Sequence, residues 1–136
     1  MLGFLSRYED YAYALLRIVT GFMFLCHGAQ KLFGVPAAAR EGTPDWITYG
    51  AGPIELLGGI LVMIGLFTRP AAFVCSGTMA AAYWFAHGMA AAFPLNNGGE
   101  LAALYCFVFL LIACRGAGIW SIDGRAYGSR GAHATG

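Results

Sequence analysis

Charge is what this sequence is shortest of. Lys and Arg together number 8 and Asp and Glu 7, so only 11% of 136 residues are charged, against about 25% in an ordinary soluble domain. That is too little polar material to cover a water-soluble globule, and a soluble all-helical protein with a greasy core is set aside on that ground. A formal net charge of +1 leaves no basic field for nucleic acid and no acidic tail. Cysteine is sparse and scattered. Cys26, Cys75, Cys106 and Cys114 form no C-x-x-C pair, so spacing gives no support to a redox dithiol and favours small buried hydrophobes. No attachment motif for an Fe–S cluster, a flavin or haem is present.

What the chain does have is apolar length. Hydrophobic residues make up 59% of it, with 20 glycines, a texture that suits closely packed membrane helices. A helix needs about 20 residues to cross ~30 Å of hydrocarbon. The apolar runs predict four transmembrane helices, at about 11–33, 52–67, 70–93 and 99–114, the second and fourth short. The first run is longer than a signal-peptide core and is flanked by Glu9 and Asp10, so it is read as retained. Gly21 and Gly28, one heptad apart, predict a close-packing seam, and Gly58–Gly59 permit another close neighbour. Arg17, ~9 Å inside its helix, is expected to snorkel to the interface or reach Asp123.

Between the runs, residues 34–49 form the longest polar connection, with Trp46 and Tyr49 placed for an aromatic belt. Pro53 suits a first helical turn, and Thr68 is the expected cap of the third helix. Residues 94–99 read as an uncharged turn, Trp120–Gly124 as an interfacial coda, and 125–136 as a disordered tail. The expectation is an all-α membrane protein: one transmembrane domain over 1–124, folded as an up-down-up-down bundle. Arg7, Arg17, Arg69, Arg115, Arg125 and Arg130 fall on the side of the termini, and Lys31 and Arg40 on the other. Six against two places both termini in the cytoplasm.

Within the runs lies a set of polar residues. His27, Gln30 and Lys31 are spaced by three and four and share a helical face. An ionisable group at the centre of a span costs about 2.5–3.5 kcal/mol, so such groups need partners. His27 and His87 each fall ~9 Å below the outer end of an outward-running helix. Glu55 and Glu100 open the two inward-running helices, where the dipole favours a carboxylate. All converge on one layer in the outer half. Two readings stay open. In one, Lys31 pairs with Glu100 or Glu55 and the histidines hold the helices in register. In the other, the layer is a small pocket that handles a ligand headgroup or a proton, with His27, His87 and Lys31 as candidate catalytic groups. A metal on His27, His87 and a carboxylate has no spacing motif behind it, and no metal is expected. Axial haem ligation by the two histidines is a minority alternative.

Segments LLRIVTGFMFLCHGAQKLFG (15–34), ELLGGILVMIGLFTRPAA (55–72), MAAAYWFAH (79–87) and NNGGELAALYCFVFLLIACRGAGIWSIDG (96–124) resemble the DoxX family of small bacterial membrane proteins. The resemblance covers about residues 12–124, in order. Family motif positions here include His27, Gln30, Lys31, Glu55, Arg69, His87, Gly99, Glu100 and Asp123. It implies a four-helix bundle in the bacterial inner membrane, in a family some of whose members serve sulfur metabolism as a thiosulfate:quinone oxidoreductase subunit. Others belong to membrane complexes against oxidative and thiol stress. No accepted catalytic set comes with it. Two functions follow as expectations. One is a quinone-reactive or redox-associated subunit whose layer of His27, Gln30, Lys31, Glu55, His87 and Glu100 holds a quinone headgroup, with electrons from a partner protein. The other is a non-enzymatic scaffold or carrier for a lipid-like ligand or a partner complex, with homo-oligomerisation open in either case.

Overall fold

The computed structural model describes residues 3–38, 42–88 and 93–126. Among these the chain is all-helical. A 3-10 turn over Gly3–Tyr8 leads into α1 (Glu9–Phe33), which ends on Gly34 in the left-handed region. Helix α2 (Gly52–Ile64) follows a π-helical segment over Ile47–Ala51. Helix α3 (Thr68–Ala82) passes into a second π-helical segment, Tyr83–Gly88. A single turn, α4 (Pro94–Asn97), precedes α5 (Glu100–Arg115).

The boundaries depart from the sequence reading where local chemistry overrides the apolar run. The second helix starts earlier, because Pro44 accepts hydrogen bonds from the Ile47 and Thr48 amides and begins the winding before Gly52. It stops at Ile64 rather than residue 67, because Gly65 takes φ +70° and its amide and that of Leu66 fold back onto Val62 and Leu61. The third helix starts at Thr68, with Pro70 in the first turn, where an N–H has no partner to lose. It does not reach residue 93. Phe93 is extended, and residues 89–92 lie outside the described ones. The expected turn at 94–99 contains a helical turn, and residues 122–126 are helical, across the end of the expected coda at 120–124 and the start of the expected tail at 125–136. Residues 127–136, with Arg130, and residues 39–41, with Arg40, lie outside the described ones.

Helix α1 packs on α2, α3 on α5, and α2 on α3. The glycine seam is where heptad spacing put it. A Cβ on Gly21 would come 2.6 Å from the Met63 amide nitrogen, and one on Gly59 2.5 Å from that of Leu25. Neighbouring Gly58 faces the other way, onto the Cys75 sulfur of α3. Phe24, Val62, Ala72, Cys75, Tyr105, Phe109 and Ile112 fill the core, and all four cysteines are free. Gly3–Phe33 and Ile47–Ile64 are long and apolar enough to cross a membrane. Large apolar side chains point outward from the other helices too, including Phe73 of α3 and Leu104 and Phe107 of α5.

At one end of the molecule, polar side chains close the helix termini. Arg17 does not snorkel: it is 0% exposed. It donates to the carbonyls of Val62 and Met63, which end α2, and of Ile119 and Trp120. The amides one turn beyond Val62 and Met63, those of Leu66 and Phe67, go to Leu61 and Asp123 instead, and the two helix-end carbonyls take the guanidinium. Nor does Arg17 hydrogen-bond Asp123, whose carboxylate accepts from the Phe67 and Thr68 amides and the Thr68 hydroxyl. Thr68 is therefore not the cap. It is the capped residue, and the cap arrives from 55 positions along the chain. Arg69 donates to the carbonyls of Ala113, Cys114 and Arg115 that end α5. Arg115 pairs with Glu9 and Asp10 and lies 4.3 Å over the Tyr13 ring.

Candidate functional site

The opposite end holds a cleft of about 810 Å³, within the size range of small-molecule sites. Its walls are largely apolar, with Phe24, Ile54, Met79, Phe85 and Leu101 among them. The charged groups come from α1 and α2, while Thr43, Thr48, Thr78 and His87 add polar groups from the other elements. His27, Gln30 and Lys31 line it from one face of α1, as their spacing dictates, and Glu55 lines it from the first turn of α2. Both π-helical segments contribute, Ile47–Ala51 through Ile47, Thr48, Gly50 and Ala51 and Tyr83–Gly88 through Phe85, Ala86 and His87. A π turn inserts a residue into the helical ladder and re-aims the side chains after it, which is why such turns recur at functional sites.

The centre of this set is an ion pair. Lys31 Nζ donates to Glu55 Oε2. The Glu55 side chain is only 3% exposed, that of Lys31 23%. A carboxylate so deeply buried needs its cation, and removing one partner of such a pair is costly. The ammonium has two further N–H donors and borders the cleft. His27, one helical turn away, presents its ring edge-on to Tyr105, with centroids 6.1 Å apart. Gln30 is bonded outward, to the Ala38 carbonyl. His87 bonds through Nδ1 with the Asn97 carbonyl oxygen at 3.1 Å and borders the cleft from the far side.

Five of the six residues singled out in the sequence therefore border one cleft: His27, Gln30, Lys31, Glu55 and His87. Glu100 does not. It is exposed at the start of α5 and absent from the lining, so Lys31 pairs with Glu55 and not with Glu100. The first turn of a helix spans all azimuths, and depth alone did not fix which way Glu100 faces. No group of three or more His, Cys, Asp or Glu among the described residues is placed to hold a metal. Sequence reasoning missed Tyr105, whose buried hydroxyl has no hydrogen-bond partner among the described residues. Its signal was available: a tyrosine within an apolar run, four residues before buried Phe109.

The DoxX family model matches residues 12–88. An uncharacterized protein of Haemophilus influenzae is 42% identical over 129 residues, covering 90% of this chain and 96% of that one. A Bacillus subtilis protein named "Putative oxidoreductase CatD" is 41% identical over 59 residues, which cover 40% of this chain and 44% of the relative. The chain thus spans less than half of the Bacillus protein's length. No solved structure matches.

Proposed function

The chain belongs to the DoxX family of membrane proteins, and on that premise we propose that it binds the headgroup of a quinone-like lipid in its cleft, as the membrane subunit of a redox system. One observation carries this reading: an ion pair, Lys31 with the buried Glu55, borders a largely apolar cleft large enough for a ring headgroup. Apolar walls suit a ligand arriving from lipid, and the ammonium suits an oxygen that gains negative charge on reduction. Bound quinone would supply the redox chemistry. The residues here would hold it, with Lys31 donating to its oxygen and His27 or His87 exchanging protons with it. Electrons would come from a partner protein. The name of the Bacillus relative, over the matched part, points the same way.

In this reading residues 1–124 are one transmembrane domain crossing the bacterial inner membrane four times, up-down-up-down, with both termini cytoplasmic and the cleft in the outer half. The outward apolar side chains of α3 and α5 support the two crossings beyond the longer helices. The contrasting reading, a scaffold or carrier, keeps the ion pair as a register lock.

Purification in mild detergent, with an absorption spectrum and extraction of bound small molecules, separates them. Copurified quinone that is lost in Glu55→Gln and His87→Ala, both still folded, supports the proposal. Protein without quinone or chromophore, in which the same substitutions affect folding alone, supports the scaffold. A Soret band would instead favour haem on His27 and His87.

A further inference from the structure

His87 lies near the end of the second π-helical segment, and its ring is held at one nitrogen only. Nδ1 lies 3.1 Å from the Asn97 backbone oxygen. A carbonyl oxygen can only accept, so Nδ1 carries the hydrogen, and in the neutral ring Nε2 keeps a bare lone pair. The turn that presents this carbonyl is itself tied down. The Asn97 amide donates to the Phe93 carbonyl, and the side-chain oxygen accepts from the Gly99 amide at 2.7 Å. Asn97 Nδ2 donates to the Tyr83 hydroxyl at 3.3 Å. Tyr83 and His87 stand about one turn apart on the same segment, so Asn97 grips that turn at both ends.

The other nitrogen is open. Nε2 makes no hydrogen bond among the described residues, whose buried side-chain nitrogens and oxygens without a partner are Arg17 Nε and the Tyr105 hydroxyl alone. An unpaired atom outside that pair is accessible. His87 borders the cleft, whereas Asn97, which holds the Nδ1 edge, is not part of the lining. The adjacent lining residues Phe85 and Ala86 have no side-chain donor to offer Nε2. His27 differs: its ring meets Tyr105 edge-on, and no hydrogen bond among the described residues fixes which of its nitrogens carries the hydrogen.

Lys31 brings only donors to the cleft, whereas Nε2 of the neutral His87 ring can only accept. We propose that His87 Nε2 accepts a hydrogen bond from a hydroxyl on the ligand's ring, with the Asn97 carbonyl as the positioning group. The cleft then takes the reduced, phenolic form of a quinone-like headgroup in preference to the oxidised form. This deepens the quinone reading and rests on it, since it names the redox form that the same cleft holds. An oxidised headgroup presents carbonyl oxygens and no donor, so at Nε2 it sets one lone pair against another. A site built to accept from a hydroxyl rejects the analogue that lacks it, because its own polar group is then left unpaired.

The test is isothermal titration calorimetry on the detergent-solubilised full chain, with three probes that share a decyl tail. They are a para-hydroquinone kept reduced without oxygen, the para-benzoquinone, and the hydroquinone dimethyl ether, whose oxygens accept but cannot donate. Wild type should bind the hydroquinone about fivefold more tightly than either other probe, the size of one hydrogen bond. His87→Phe should bring the three within about twofold of one another by losing that hydrogen bond, with quinone affinity unchanged or higher. Nitrogen NMR of histidine-labelled wild type should show a ring with its hydrogen on Nδ1 and a bare Nε2 that shifts when hydroquinone binds, a signal missing from His87→Phe. Equal binding of hydroquinone and its dimethyl ether by wild type overturns the inference without needing the variant and leaves the quinone reading standing. So does a His87 ring with its hydrogen on Nε2. A preference that survives in His87→Phe overturns the role of His87. Binding of none of the three probes by wild type removes the quinone reading and this inference with it.

Discussion

Arg17 carries a full charge into the packed interior and spends it on backbone carbonyls of Val62, Met63, Ile119 and Trp120. Its position inside an apolar run was legible, and so was a structural role. Its destination was not, because the carbonyls it meets are set by where α2 stops, and Gly65 decides that. Arg17→Gln should lower the melting temperature markedly, since charged hydrogen bonds contribute about 1.5–3 kcal/mol, while leaving the cleft's ligand bound. Arg17→Lys should rescue little, because one ammonium cannot reproduce the planar fork. Loss of ligand at unchanged stability would refute this. Asp123 gives a pH signature. Burial alone would raise its carboxyl pKa, but the hydrogen bonds from Thr68 and Phe67, with the charge of Arg17, outweigh that and hold it below the usual carboxylate value. A depressed native pKa means that its contribution is present above about pH 4, the unfolded value, and fades as pH falls through the native one. Thermal melts should therefore show Asp123→Asn less stable than wild type at neutral pH, with the difference closing in acid. A constant gap would refute the assignment.

The helices were legible as apolar runs and their seams as glycine spacing, since a heptad pair such as Gly21 and Gly28 defines a face whatever lies opposite. The π-helical segments were not, because each is only a turn or so at the end of a helix, too short for its phase shift to be read in hydrophobic periodicity. The seam makes its own prediction. Gly59→Leu should force α1 and α2 apart, costing about 1–3 kcal/mol or more by overpacking, with loss of monodisperse folded protein on size-exclusion chromatography. Gly77→Ala in α3, where a Cβ would meet nothing within 4 Å, should be tolerated or slightly stabilising. If both behave alike, the close approach is not what holds these helices.

Across the whole molecule, ionic capping gathers at one end and the cleft lies at the other. The sequence implied that division through charge counts, and the five lining residues through depth along each run. It could not place Glu100, because rotation about a helix axis at its first turn is fixed by packing. Reporter fusions after Gly136 and within residues 37–42 should find the first cytoplasmic and the second not. The opposite result would invert the orientation and every statement about leaflet.

The capping end also depends on a stretch that lies beyond α5. Residues 119–123 supply two of the acceptors for Arg17 and the carboxylate that closes the start of α3. A chain ending at residue 118 keeps α1 to α5 and has none of these closures. Asp123 closes the start of α3 from outside every helix it joins, so the shortened chain should melt below the full chain, and equal melting temperatures would show that the helices hold without this closure.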